Sequence, residues 1–284
     1  MSDTIASNVI YAIYNLVTRA RFDLSEVSGA KNRANAMGDA LEDYIKNLFA
    51  DTFDMSESDR LKKWAQVFSY FGNNSNPPDA MLWNGDAIEI KKLESDASDI
   101  ALNSSHPKDK LRASSEMITE ACRTAEEWTQ KDMLYCIGTV KGRNLRRLAM
   151  VYGTDYCASE QTYLRIKQTI HSGLAEIPGI ELAPTKELGR INRVDPLGIT
   201  YLRVRGMWGI GNPFRVFDYV YKPKNCGFAF MCLISREKYD SFDNCQLIEA
   251  LVGKVEGFRI EDVQVKNPNN PARLRDAKLI VFER

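Results

Sequence analysis

The sequence predicts an α/β (α+β) fold, a mixed central β-sheet flanked by helices, and three observations predict it. Apolar residues recur at helical spacing through roughly the first 50 positions; residues 66 to 94 switch to short runs broken by turn signals; and the last third again reads as strands. Helices and strands alternating in blocks are the order of a sheet covered by helices.

The first helix carries Ile5, Val9, Ile10, Ile13, Leu16 and Val17 on one stripe. After a Ser28-Gly29 break, Met37, Ala40, Leu41, Tyr44, Ile45, Leu48 and Phe49 form the buried stripe of a second. Between Gln66 and Glu94, Gly72-Asn73-Asn74, Pro77-Pro78 and Asn84-Gly85 punctuate a β-meander. Ser114 and Ser115 are placed to cap a helix with the stripe Met117, Ile118, Ala121, Cys122, Ala125 and Trp128. Strands Met133 to Val140 and Leu148 to Tyr152 follow, joined by the turn Lys141-Gly142-Arg143-Asn144. A helix from about Glu160 to Ser172 leads into a loop-rich stretch, Pro178 to Pro196, and then strands at Ile199 to Arg205, Arg215 to Tyr221, Phe228 to Ile234 and Leu279 to Phe282.

At 284 residues and 44% hydrophobic content the chain is expected to form one domain, with a core over about residues 1–175 and a β-rich part over about 176–284. The 38 basic and 38 acidic residues cancel, so any surface for a polyanion must come from local segregation of charge. No signal peptide and no membrane-spanning run are read, which places the chain in the cytosol. Six cysteines without a C-x-x-C pair, and only two histidines, argue against zinc and for thiols used as small core hydrophobes.

The chemistry concentrates at Asp79, Glu89 and Lys91. Glu89 and Lys91 stand two apart and so share one face of a strand, with Ile88 and Ile90 on the other. Register decides whether Asp79 joins them. A two-residue turn at Asn84-Gly85 sets Asp79 opposite Ile90, on the wrong face; a three-residue loop, Trp83-Asn84-Gly85 with Gly85 left-handed, pairs Leu82 with Asp86 and Asp79 with Glu89. The second register, or a bulge, is expected. Two carboxylates facing each other across a strand pair repel unless a cation lies between them, and hard oxygen ligands suit magnesium. Glu42 borders the buried face of the second helix and is a candidate third carboxylate, with Gly38 allowing another backbone to approach. Alone, an E-x-K is a solvated strand face and P-D a turn; the conjunction carries the reading.

The run PPDAMLWNGDAIEIKK, Pro77 to Lys92, resembles the PD-(D/E)xK nuclease motif. Ala30 to Gly38, Ala40-Leu41-Glu42 with Tyr44-Ile45-Lys46, and Ala101 to Ser105 with Pro107-Lys108 narrow the likeness to the NgoPII-type family of type II restriction endonucleases, over most of roughly the first 155 residues and more loosely beyond. The resemblance implies a restriction-endonuclease-like core and a homodimer in the prokaryotic cytoplasm that uses one or two magnesium ions per active site and no nucleotide cofactor. It implies cleavage of both strands of double-stranded DNA at a short palindrome, GGCC, leaving 5′-phosphate and 3′-hydroxyl ends. Asp79, Glu89 and Lys91 match the catalytic motif, with Glu42 beside them, and Asp79, Glu89 and Glu42 are the implied metal ligands.

For DNA contact, Arg203 and Arg205 fall on one strand face, followed by Trp208 and Arg215. Arginine forks suit guanine O6 and N7. From Glu181 to Lys224 eight basic residues (Lys186, Arg190, Arg193, Arg203, Arg205, Arg215, Lys222, Lys224) face four acidic ones (Glu181, Glu187, Asp195, Asp218). The bland alternative is a solvated strand with Trp208 plugging the core. Asn103, Ser104, Ser105, Lys108 and Lys110 form a second candidate, a polar loop suited to phosphates or base edges, and Lys31 and Arg33 a third. Two other functions compete: a structure-selective repair or junction nuclease of the same fold, and a catalytically silent DNA-binding protein.

Overall fold

The computed structural model describes residues 4–24, 33–73, 76–103 and 105–284, without the side chains of residues 33–37 and 103. The chain runs α1 (Val9–Arg19), α2 (Arg33–Ala50), α3 (Glu57–Val67), β1 (Phe68–Asn73), β2 (Asn76–Leu82), β3 (Ala87–Leu93), β4 (Ile100–Asn103), β5 (Lys110–Arg112), α4 (Glu120–Arg123), β6 (Gln130–Lys141) and β7 (Asn144–Tyr152). It continues through α5 (Gly153–Tyr156), α6 (Glu160–Ala175), β8 (Glu181–Leu182), β9 (Gly189–Asn192), β10 (Leu202–Val204), β11 (Trp208–Ile210), α7 (Pro213–Val216), β12 (Ala229–Ser235), α8 (Arg236–Asp240), α9 (Gln246–Glu249), β13 (Phe258–Asn267) and β14 (Asn270–Glu283).

The main sheet is mixed, as expected, in the order β1-β2-β3-β6-β7-β12-β14-β13, with β5 pairing on β6. The β3/β6 and β7/β12 pairs are parallel; the others are antiparallel. Strands from the last third of the chain therefore extend the sheet begun by the meander. Small sheets β10-β9-β8 and β11-β4 lie off it.

Each face of the sheet has its own core. Ile10, Ile13, Leu41, Ile45 and Leu48 from α1 and α2 pack with Ile88, Ile90, Leu134 and Phe282 on one side. Met81, Ala87, Tyr135, Ile137, Val151 and Leu279 belong to the cluster on the other. Each such buried aliphatic side chain contributes about 1.5–3 kcal/mol. Gly138 brings α2 onto β6, because a Cβ there would lie 2.9 Å from both Leu41 methyls. Cys122, Cys136, Cys157 and Cys232 are buried free thiols, and Cys226 and Cys245 are partly buried. No helix among the described residues is long and apolar enough to cross a membrane.

Several elements differ from the sequence reading. The helix expected after Ser114-Ser115 is a single turn capped by Thr119, after which the chain bends so that Glu126 reaches the β2-β3 loop. The strand expected at Arg215 to Tyr221 is instead the helical turn α7, because Asn212 caps it and Pro213 takes its first position. Helix α3, capped by Ser56, and strand β13 have no counterpart in the reading. The Ser28-Gly29 break lies outside the described residues. Among the described residues, a Cβ on Gly38 would meet no atom within 4 Å.

Candidate active site

The β2-β3 connection takes the longer loop. Leu82 N–H donates to Asp86 O at 3.0 Å and Gly85 N–H to Leu82 O at 3.1 Å, closing Trp83-Asn84-Gly85. The left-handed residue is Asn84, with φ 52°, rather than Gly85. Asparagine tolerates that region, while Gly85 is wanted for space: a Cβ there would sit 3.0 Å from Leu82 Cβ. Ala80 pairs with Ile88 and Met81 with Ala87, the register that aligns Asp79 with Glu89 on one face. The backbone ladder ends before Asp79, and its carboxylate takes over: Ile90 N–H donates to Asp79 Oδ2 at 2.6 Å.

A buried pair clamps this loop. The Lys131 ammonium donates to Leu82 O at 3.0 Å and Gly85 O at 2.9 Å, and lies 2.8 Å from Glu126 Oε1. Glu126 accepts the Asn84 N–H at 2.9 Å and the Ser69 hydroxyl at 2.6 Å. Gly72 of β1 is the other constraint, since a Cβ there would lie 2.1 Å from Pro78 O and 2.9 Å from Asp79 Cα. None of these residues entered the sequence reading as part of a site. Gly72 was visible only as a turn signal, and Lys131 meets the Leu82 and Gly85 carbonyls across more than forty residues.

Asp79, Glu89 and Lys91 converge. Lys91 Nζ lies 2.7 Å from Glu89 Oε1, 3.3 Å from Asp79 Oδ2 and 3.1 Å from Ile90 O. Burial, then the Asp79 charge, pushes the Glu89 carboxyl up to about 7 against the pull of Lys91. Burial lowers Lys91, but the two carboxylates outweigh it and hold the ammonium above its ordinary range. Glu42 reaches the same place from α2, raised by burial and then by Asp79, with Lys46 3.6 Å away. All four line a cleft of about 700 Å³ that also takes in Ser105, Lys186, Glu187 and Arg205.

Among the described residues no group of three or more His, Cys, Asp and Glu side chains could hold a metal ion. Magnesium asks for less, because it keeps several waters and takes one or two carboxylates. Asp79 and Glu89 supply two hard oxygen donors already gathered around one cation, the Lys91 ammonium. The donor set fits a divalent cation held by Asp79 and Glu89, with Glu42 facing it.

The residues expected to touch DNA scatter. Arg205 lines the cleft with Asp79, Glu89 and Lys91. Arg203 in β10 grips Glu187 at 2.6 and 3.0 Å, and Arg205 reaches the same carboxylate at 2.6 Å. Glu187, counted in the sequence only as one acid among basic residues, thus organises both forks. Trp208 is half-buried, edge-on to Tyr163 at 5.5 Å and His106 at 6.3 Å, on the wall of an adjoining cleft of about 560 Å³. Arg215 is tied to the Asp99 carboxylate and to Ala97 O and does not line the cleft that holds Asp79, Glu89 and Lys91. Ser105 lines the cleft. Asn103 lies in β4, its side chain outside the description, and Ser104 lies outside the described residues, as does Lys31. Lys110 is paired with Asp132 at 3.2 Å. Lys108 is only 4% exposed, turned inward rather than toward solvent.

Comparison with known proteins identifies the family of the chain. The profile of the NgoPII restriction endonuclease family matches residues 7–266. The type II restriction enzyme NgoPII of Neisseria gonorrhoeae is 54% identical over 277 residues, covering 97% of this chain and 99% of the relative. No solved structure matches significantly. With a family match across most of its length and a full-length relative at this identity, the chain belongs to the NgoPII restriction endonuclease family.

Proposed function

We propose that this chain is a magnesium-dependent type II restriction endonuclease that cuts both strands of duplex DNA at a short palindrome, GGCC, as a homodimer in the bacterial cytoplasm. The products carry 5′-phosphate and 3′-hydroxyl ends. The observation that carries the reading is the meeting of Asp79, Glu89 and Lys91 in a cleft that Arg205 also lines. The target, the end chemistry and the dimer follow from the family resemblance, and a palindrome has the two-fold symmetry that two copies of one active site require.

Asp79 and Glu89 would hold a divalent cation whose charge offsets the repulsion between their carboxylates. Magnesium, when bound, supplies Lewis acidity toward the scissile phosphate and the attacking water. Lys91 places an ammonium against the same carboxylates, where it neutralises charge that grows on the phosphate during attack. Glu42 closes the site from the helix side. Arg205, drawn to Glu187 together with Arg203, carries a guanidinium fork that suits a guanine edge.

Digestion of a plasmid of known sequence with magnesium, followed by end mapping, tests this. Discrete fragments ending within GGCC are expected. Cleavage confined to forks or junctions would assign the fold to DNA shape instead, and discrete fragments ending elsewhere would overturn the target.

A further inference from the structure

The loop after β4 was read in the sequence as a DNA-contacting segment, yet its lysine points the other way. The Lys108 backbone is fixed on two sides. Its N–H donates to the Tyr135 hydroxyl at 2.7 Å, and that hydroxyl donates back to Lys108 O at 3.2 Å. Gly153 packs against it so closely that a Cβ would fall 2.2 Å from Lys108 O. Tyr135 is the β6 residue in register with Glu89. The Lys108 side chain therefore runs beneath the face that carries Glu89.

Among the described residues, few buried side-chain polar atoms lack a hydrogen-bond partner, and two of them are Lys108 Nζ and Glu89 Oε2. Glu89 and Lys108 line the same small pocket, about 10 Å³, with Leu102, Ser105, His106 and Tyr135 among its other walls. That is about the space one water molecule needs, and a water there would have polar partners on both sides. Leaving Glu89 Oε2 and Lys108 Nζ buried without partners would cost more than bridging them through a water.

We propose that Lys108 is a positioning residue for Glu89, acting through one buried water on the carboxylate oxygen turned away from the cleft. This rests on the reading of Glu89 as part of the reacting site. Lys91 holds the cleft-side oxygen and Lys108 the inner one, so the carboxylate plane, otherwise soft about its last torsion, is set from both sides.

Lys108→Met, and Lys108→Gln in case the first does not fold, are compared with wild type in two measurements. In magnesium-dependent cleavage, Lys108→Met is expected to lower kcat about 10- to 100-fold with KM for DNA unchanged, and the glutamine, which can still donate, to recover part of it. Unchanged kcat, or a raised KM at full kcat, overturns the proposal, the latter by assigning Lys108 to DNA. Thermal unfolding reads no cleavage. There Lys108→Met should destabilise the wild-type background but stabilise Glu89→Gln, in which the ammonium loses its counter-charge. Equal shifts in both backgrounds overturn the proposal; should the wild type cut no DNA, the nuclease reading fails while this cycle still decides whether Lys108 acts on Glu89.

Discussion

Replacing Lys131 with methionine removes the ammonium that ties together the two ends of the Trp83-Asn84-Gly85 loop. Lys131 and Glu126 have side chains only 4% and 5% exposed, so the Glu126 carboxylate would be left buried without its cation. Breaking a buried ion pair from one side costs about 3–5 kcal/mol. The Gly85 carbonyl loses its side-chain donor and the Leu82 carbonyl one of its two, a cost that overlaps with the first and keeps the sum near the upper part of that range. At about 2–4 °C per kcal/mol for a domain approaching this size, the unfolding midpoint should fall by roughly 8–20 °C. Cleavage at 25 °C should fall too, because the loop sets the register that brings Asp79 to Glu89. The double variant Lys131→Met with Glu126→Gln removes both charges and should recover much of the loss. Thermal unfolding followed by circular dichroism is the assay. A single-variant shift within the roughly 0.5 kcal/mol typical of surface changes, or a double variant worse than the single, would refute the clamp.

Gly72→Ala places a Cβ 2.1 Å from Pro78 O and must push β1 or Asp79 aside; a stability loss of about 1–3 kcal/mol and a larger drop in cleavage are expected from unfolding and plasmid assays. Arg205→Ala should cost about 1–3 kcal/mol in binding and relax specificity at one base position, as read by competition among single-base variants of the site; uniform weakening would assign the residue to phosphate. Burial pushes Glu126 up, but hydrogen bonds from Lys131, Ser69 and Asn84 more than offset it and hold it below its ordinary 4.5. Its contribution to stability is therefore present above that value and lost as the pH falls through the lowered one. Glu126→Gln should flatten this part of the acid limb of stability against pH, and an unchanged limb would contradict it.

What the sequence disclosed was local and periodic. Alternation put Glu89 and Lys91 on one face of β3, and the Asn84-Gly85 signal reduced the position of Asp79 to a choice between two registers, of which the structure has the longer loop. The stripe of α2 placed Glu42 at the border of that helix's buried face because helical spacing is also local. Long-range contact was not legible. Nothing near Lys108 announces that the loop after β4 turns inward against Tyr135, and Glu126 and Lys131 look like ordinary charges until β6 runs beside the hairpin. Two errors have local causes. Asn212-Pro213 is a cap followed by a first-turn proline, which outweighed the β-branched and aromatic residues after it. In α3 the charged run Glu57 to Lys63 hides an amphipathic helix that buries little beyond Trp64 and Val67.

The central claim is that Asp79 and Glu89 together act in cleavage rather than in folding or DNA binding. Wild type, Asp79→Asn and Glu89→Gln should be measured side by side on a duplex containing GGCC, for binding in calcium and for cutting in magnesium. The account predicts cooperative folding and near wild-type binding in all three, with cutting lowered about 10³-fold or more in both variants. A variant that still cuts at the wild-type rate would contradict it.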